Sequence, residues 1–348
     1  MRVLVAMSGG VDSSMTAALL VEAGHDVTGV HLKMADTPSG LPGKGCCTLD
    51  DARDARRVAD RLGISFYVWD LSSPFQDRVI DDFVEEYAAG RTPNPCIRCN
   101  ERVKYTALLE RARAVGFDAL ATGHHVRLDH EGGVWRLRRA ADPGKDQTYV
   151  LYMASQEQLA HTLWPAGAHH KDELRAMAAQ RGLVTAGKPD SHDICFIPSG
   201  DLGAFLAPRL GAREGRFVGP DGTVLGHHDG AYRFTVGQRR GLGLSGLGEA
   251  MYVTAIEGST VHVGPREHLA RPALEADGAS WVAGTPPERA DLAAQVRYRG
   301  APLPCRVEDR GDGRIGVEFT DELPLGVAPG QAVVLYDGQE CLGGATIR

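Results

Sequence analysis

No stretch of this 348-residue chain approaches the apolar length of a membrane-crossing helix, and the apolar run that opens it is interrupted at Gly9 and Gly10. Neither a membrane span nor an export signal is therefore expected. An excess of basic residues is also lacking. The formal charge of -7 excludes general affinity for nucleic acid, which comes mainly from neutralising phosphates, so any nucleic-acid partner must meet local basic patches. No internal repeat or low-complexity tract is present. Seven cysteines form an odd set in a long chain, which argues against a disulfide frame and for thiols kept reduced in the cytoplasm. What remains, 43% hydrophobic and 24% charged, is enough for two or three domains with real cores.

The most informative run is Ala6-Met7-Ser8-Gly9-Gly10-Val11-Asp12-Ser13-Ser14, placed between an apolar strand and an apolar-periodic helix. Two residues without Cβ let the backbone turn tightly, and the amides at the positive end of the following helix suit one anion. A Walker loop would need a lysine that is not there. Asp12 could organise a metal or pyrophosphate, or could satisfy amides at the helix start.

Short apolar runs at Val3 to Ala6, Val27 to Leu32, Phe66 to Trp69 and Ala119 to Ala121 read as buried parallel strands. Helical stretches lie between them. One begins at Val11 and stops at Gly24. A second follows the cap candidates Asp50 and Asp51, and a third carries Phe75, Val79, Ile80, Phe83, Val84 and Tyr87 on one face. This predicts an α/β class with a doubly wound parallel sheet over residues 1–204, its ligands at the carboxyl ends of the strands. Beyond it the texture turns to glycine-rich turns and short alternating runs. These predict a small β-rich domain over 205–269, with runs at 215–218, 231–236, 251–255 and 261–263, and a C-terminal β-barrel over 270–348.

The second strong signal is Thr92-Pro93-Asn94-Pro95-Cys96-Ile97-Arg98-Cys99-Asn100. Its prolines disfavour helix, so the CxxC pair is expected on a stiff loop ahead of a helix from about 101 to 115, with Arg98, Arg102 and Lys104 favouring thiolate. Cys195 follows in Ser191-His192-Asp193-Ile194-Cys195-Phe196. Cys46, Cys47, Cys305 and Cys341 read as packing residues. Arginines gather at 136, 138 and 139, at 239 and 240, and at 297 and 299, three local patches in an acidic chain. Gly241 to Gly246 matches a dinucleotide fingerprint by letter only, without the βαβ setting that the fingerprint needs.

The Ser8–Ser14 run resembles the loop of the ATP pyrophosphatase superfamily. Taken in order with the TPNPCxxCN segment, Ala121-Thr122-Gly123-His124, Lys145-Asp146-Gln147, Asp193-Ile194-Cys195-Phe196, the run 236–243 and the segments 329–331 and 341–344, it resembles the bacterial tRNA-specific 2-thiouridylases over essentially the whole chain. The resemblance implies ATP with Mg²⁺ against Ala6, Met7, Ser8, Gly9, Gly10, Val11, Asp12 and Ser13, with Leu32 and Gly123 bordering the adenosine. It implies Cys99 as nucleophile and Cys195 as persulfide carrier. His124, Lys145, Asp146, Gln147, Arg297, Tyr298 and Gln331 would touch the anticodon stem-loop of a tRNA, and a donor protein or sulfide would supply sulfur.

Many members carry Asp where this chain has Cys96. Cys96, Cys99 and Cys195 together look like the ligand set of a 4Fe-4S cluster, similar to the cluster-dependent branch of tRNA thiolases. A zinc site completed by His192, or persulfide chemistry without metal, is the alternative. Two other functions compete: an ATP pyrophosphatase acting on a small molecule, and a metal-bearing RNA-binding protein with a vestigial nucleotide loop.

Overall fold

The computed structural model describes residues 1–34, 48–190, 194–197, 200–244, 246 and 249–348. The chain opens with β1 (Arg2–Ala6), α1 (Val11–Glu22), β2 (Asp26–Lys33), α2 (Leu49–Leu62) and β3 (Ser65–Asp70). A helical run follows as α3 (Ser72–Phe75), a π-helical turn Gln76–Ile80 and α4 (Asp81–Ala88). A second run comprises α5 (Pro95–Arg98), the π-helical Cys99–Leu108 and α6 (Leu109–Ala114), and it leads into β4 (Ala119–Thr122). Next come the hairpin β5 (Val126–Glu131) and β6 (Val134–Arg139), then α7 (Gln156–Ala160), β7 (Thr162–Leu163), α8 (Lys171–Gln180) and α9 (Leu202–Leu210).

The first sheet is wholly parallel, in the order β3-β2-β1-β4-β7. Strand order reverses between β1 and β4, and the crevice beyond their carboxyl ends is where a doubly wound sheet takes its ligand. Alternation along β1 builds a core on each face. Leu4 packs with Val30 and Leu120 on one side, and Val3 and Val5 pack with Val27 and Ala121 on the other. Each such buried Val or Leu side chain contributes about 1.5–3 kcal/mol. The cap of α2 is Thr48 rather than Asp50 or Asp51. Its hydroxyl accepts from the Asp51 amide at 3.1 Å while the Asp51 carboxylate accepts from the Thr48 amide at 3.2 Å, a reciprocal box that places Asp51 inside the first turn.

The central unit is a four-stranded sheet, made of β8 (Gly215–Val218), β9 (Val224–His228), β10 (Tyr252–Glu257) and β11 (Thr260–Gly264). The run 231–236 is not a strand. Ala231–Arg233 forms a 3₁₀ turn, and Phe234 and Val236 alternate because both enter the core of this unit. The last unit holds β12 (Ala273–Trp281), β13 (Asp291–Gln295), β14 (Leu303–Gly311), β15 (Arg314–Phe319), β16 (Ala332–Asp337) and β17 (Glu340–Ile347), and the pairing of β12 with both β15 and β17 closes a six-stranded barrel. The sheet does not stop there. The hairpin from the first unit joins it, Leu137 opposite Cys341 and Arg138 opposite Glu340. β16 is apolar at nearly every position because Val333 and Leu335 fill the barrel while Ala332, Val334 and Tyr336 pack against the first unit.

Candidate active site

At the end of β1 the chain turns through Met7 to Gly10. The Met7 amide donates to the Val30 carbonyl at 2.8 Å, and its side chain crosses Gly29, where a Cβ would stand 2.5 Å from the sulfur. Gly9 has φ +80°, and a Cβ there would lie 2.4 Å from the Asp51 carbonyl oxygen, so the loop is seated against the first turn of α2. Gly10 starts α1 without a side-chain cap. The Ser8 amide donates to the Ser13 hydroxyl at 3.2 Å, and the hydroxyls of Ser13 and Ser14 donate to the Gly10 carbonyl at 3.1 and 2.8 Å. The first-turn amides of α1 therefore face the crevice without internal acceptors, the arrangement an anion requires. Leu32 is the penultimate residue of β2 and is buried, and Gly123 lies so near α1 that a Cβ would meet the Ser13 nitrogen at 2.6 Å.

A charged cluster stands over this turn. The Lys171 ammonium donates to both carboxylate oxygens of Asp12 at 2.8 and 2.7 Å, and reaches Asp190 at 2.9 Å. Asp190 also takes Lys145 at 2.8 Å and Arg175 at 2.7 Å. His125 Nε2 is 3.1 Å from Asp12 Oδ1. Burial alone would raise the Asp12 pKa, but His125 and Lys171 outweigh it and hold the carboxyl below its ordinary value. Asp190 is treated alike: burial opposes ionisation, and Lys145 and Lys171 overcome it and keep the group well below the usual carboxylate range. Asp12 is thus bonded to the Lys171 ammonium rather than to helix amides. His125, Lys171 and Asp190 were not legible as site residues, because they come from three distant segments that no spacing connects.

The thiols depart from the expected geometry. Cys96 is not on a loop but in the first turn of the helical run that begins at Pro95, and Asn94 caps it by accepting from the Cys96 amide at 3.0 Å. Proline at the first helical position costs nothing, because its missing N–H has no helical partner there. Cys99 is buried in the main apolar cluster, and Cys96 and Cys195 pack against that cluster half-buried. Phe196 anchors the residue beside Cys195, its ring 5.8 Å from Phe75, 5.3 Å from Phe83 and 5.3 Å from Phe205. Arg98 is paired with Glu101 at 3.0 Å and Asp82 at 3.7 Å, and Arg102 with Asp82 at 2.7 Å, so both charges are already opposed by carboxylates.

Among the described residues no group of three or more His, Cys, Asp or Glu side chains is gathered as a metal-ligand set. Cys96, Cys99 and Cys195, the thiols that would hold a 4Fe-4S cluster, all border one apolar cluster, with Cys96 and Cys99 in one helical run. The zinc alternative turns on His192, which lies outside the described residues, as do Asp193, Cys46 and Cys47. Cys305 and Cys341 are buried, and burial pushes the Cys305 thiol up to about 12.

Most residues expected to meet tRNA have partners within the protein, and two of them, Arg297 and Gln331, join the units to one another. His124 is buried, its Nδ1 2.6 Å from the Thr122 hydroxyl and 3.1 Å from the Tyr105 hydroxyl, and burial first, then Lys104 and His125, lowers its pKa far below the ordinary histidine value. Asp146 accepts from Arg139 at 3.0 Å and from the Thr148 hydroxyl at 2.6 Å. Gln147 accepts from the His125 amide at 2.9 Å. Arg297 donates to the carbonyls of Val236 and Gly326, bridging the central unit and the barrel. Gln331 donates to the Thr92 carbonyl at 2.7 Å. Lys145 and Tyr298 keep solvent-facing surface, 41% of the Lys145 side chain and 36% of Tyr298 being exposed. The arginines of 136–139 are spent internally, Arg136 on Glu340 at 2.6 Å, Arg138 on Asp129 at 2.5 Å and Arg139 on Asp146. Arg239 and Arg240 are exposed, with no ion pair among the described residues.

A glycine loop and uncapped helix at the switch point of a parallel sheet, followed by two β-rich units, define a nucleotide-binding α/β class. Three family models match in order: the tRNA methyl transferase HUP domain over residues 1–199, the tRNA methyl transferase PRC-barrel domain over 203–265 and the aminomethyltransferase beta-barrel domain over 271–347. The tRNA-specific 2-thiouridylase MnmA of Thermobifida fusca (strain YX) is 53% identical over 100% of this chain and 95% of its own length. That of Frankia casuarinae is 54% identical over 100% of this chain and 99% of its own, and that of Cutibacterium acnes 52% over 100% and 96%. The chain belongs to the bacterial tRNA-specific 2-thiouridylase family, MnmA. Among solved structures, a 4-thiouridine synthetase–RNA complex with bound ATP covers 56% of this chain and 44% of that one at 16% identity, with a TM-score of 0.36, a level that adds nothing to the assignment.

Proposed function

We propose that this chain thiolates C2 of the wobble uridine of tRNA at the expense of ATP. The observation that carries the reading is the self-organised glycine loop with its uncapped helix, in a chain that carries CxxC and a distant cysteine on one apolar cluster. The uracil oxygen is a poor leaving group. Attack of O2 on the α-phosphate makes an adenylated base and expels pyrophosphate, which Ser8 to Ser13 receive, with Asp12 available to the Mg²⁺ that accompanies the triphosphate. A persulfide on Cys195 then attacks C2 through its terminal sulfur, and AMP departs with the former O2. The Cys99 thiolate takes the Cys195 sulfur, freeing 2-thiouridine and leaving a Cys99–Cys195 disulfide that an external thiol reductant reopens. A 4Fe-4S cluster on Cys96, Cys99 and Cys195, supplying cluster-bound sulfide instead of the persulfide, is the alternative sulfur source in this reading.

The base must leave the anticodon stack to be reached, as enzymes acting on a base require. Lys145, Gln147 and Tyr298 form the tRNA-facing edge of this reading, with His124, Asp146, Arg297 and Gln331 bracing it. The working division is a catalytic unit 1–204, a central unit 205–269 and a barrel 270–348. The deciding experiment is ATP-dependent 2-thiouridine formation on tRNA transcripts with a sulfide or persulfide donor. Pyrophosphate release stimulated by a small acid, with no tRNA requirement, would replace this reading with the small-molecule one.

A further inference from the structure

Resting on the nucleotide reading above, the geometry points to Lys171 and His125 as the arm that grips the β- and γ-phosphates of ATP and the pyrophosphate that leaves, in competition with Asp12 for the same ammonium. Lys171 is the first residue of α8 and its side chain is only 8% exposed. A cation at a helix N-terminus is opposed by the macrodipole, so helix formation does not explain its place. Its ammonium instead hangs over the first turn of α1, a helix of 12 residues whose Gly10 gives no side-chain cap.

His125 supplies an independent observation. The residue is 3% exposed, its Nε2 points to Asp12 at 3.1 Å, and neither ring nitrogen is aligned for a hydrogen bond with any described residue. A buried imidazole whose charged neighbour, the Asp12 carboxylate, is poorly aligned for a hydrogen bond is costly to keep, unless a ligand completes it. His125 follows the end of β4 and Lys171 opens α8, so two separate segments converge on Asp12 in the first turn of α1.

The charges select the ligand. Asp12 presents one negative charge to Lys171, whereas a diphosphate presents several, so the phosphate groups outcompete the carboxylate and release Asp12. Asp190, which holds Lys171 at 2.9 Å together with Lys145 and Arg175, keeps the ammonium pointed at the turn during that exchange. Lys171 is therefore a ligand-contacting residue here, and Asp190 a positioning residue.

The test is calorimetric titration of the full chain with inorganic pyrophosphate, ATP and AMP, each in EDTA and in Mg²⁺. Lys171→Gln should weaken pyrophosphate and ATP by at least about tenfold, the loss of one charged hydrogen bond, and leave AMP within about twofold. His125→Asn should weaken the same two ligands less. Asp12→Asn should bind pyrophosphate more tightly than the wild type in EDTA, because the competing carboxylate is gone. Equal weakening of AMP and pyrophosphate in Lys171→Gln, or weaker pyrophosphate binding by Asp12→Asn in EDTA, overturns the assignment. Should Lys171→Gln not fold by thermal melting, the other two variants decide it. A normal binding pattern without any 2-thiouridine would sink the thiolation reading and leave this one standing.

Discussion

The Gln331 side-chain amide donates to the Thr92 carbonyl at 2.7 Å, and the Thr92 amide donates to the Pro329 carbonyl at 2.7 Å, so the barrel holds the segment that delivers Cys96 and Cys99. Gly330 makes the contact feasible: at φ +88° its missing Cβ would stand 3.0 Å from both the Arg91 Cβ and the Thr92 nitrogen. Gln331→Ala should cost about 1 kcal/mol of stability and slow single-turnover thiolation more than it weakens tRNA binding. Filter binding alongside the single-turnover assay checks it. Lost tRNA affinity with an unchanged rate would mean instead that Gln331 meets the RNA directly.

Cys99→Ala and Cys195→Ala should abolish 2-thiouridine formation with ATP and tRNA binding intact. Cys96→Asp should keep activity, since many members of the family carry aspartate there. Mass spectrometry of nucleosides reads the product, and anaerobic iron and sulfide assays run beside it. Loss of both activity and iron in Cys96→Asp would favour the cluster over the persulfide.

The basic patches divide by their partners. Arg138, already bonded to Asp129 and Glu131 and facing Glu340 at 3.7 Å, should leave tRNA affinity unchanged when replaced by alanine, at a cost in stability. Replacing exposed Arg239 and Arg240 together should weaken tRNA binding and flatten its salt dependence by about one to two counterions. Binding measured at several salt concentrations separates the two. Equal effects from both patches would contradict this division.

Asp190 and Asp12 ionise below the usual carboxylate range in the folded chain. The unfolded chain binds their protons at about pH 3.9, so their stabilisation is complete above that value and is lost as pH falls toward the folded pKa. Asp190→Asn should therefore lower stability at pH 7, on the order of 1 kcal/mol for a partly exposed ion-paired group. The deficit should shrink below about pH 4. Urea unfolding across pH measures it, and a deficit independent of pH would rule out the ion-pair origin.

The parallel sheet was legible because β1 and β4 are buried on both faces and so read as short apolar runs, and because β2, though it carries Thr28 and His31, keeps Val27, Val30 and Leu32. β12 and β17 were not, since Gly278, Gly343 and Gly344 interrupt them and their pairing is fixed by barrel closure rather than local pattern. The hairpin β5–β6 was hidden behind its arginines, whose partners include Glu340, far along the chain. The glycine loop could be placed from spacing and the thiol pair found, but not its helical setting, because a proline that ends most helices opens this one. The cations over the loop were invisible for a different reason. Lys171 and Asp190 acquire meaning only when α8 is folded back beside α1.

The union of β6 with β17 has a consequence for biosynthesis. β17 is translated after every other strand described, yet it pairs with β16, β12 and β6 at once. Until it emerges from the ribosome the barrel stays open and the early hairpin keeps a bare edge, the kind of surface that recruits other nascent chains. Closure of the barrel, and with it the grip on the cysteine-bearing turn, thus waits for this strand.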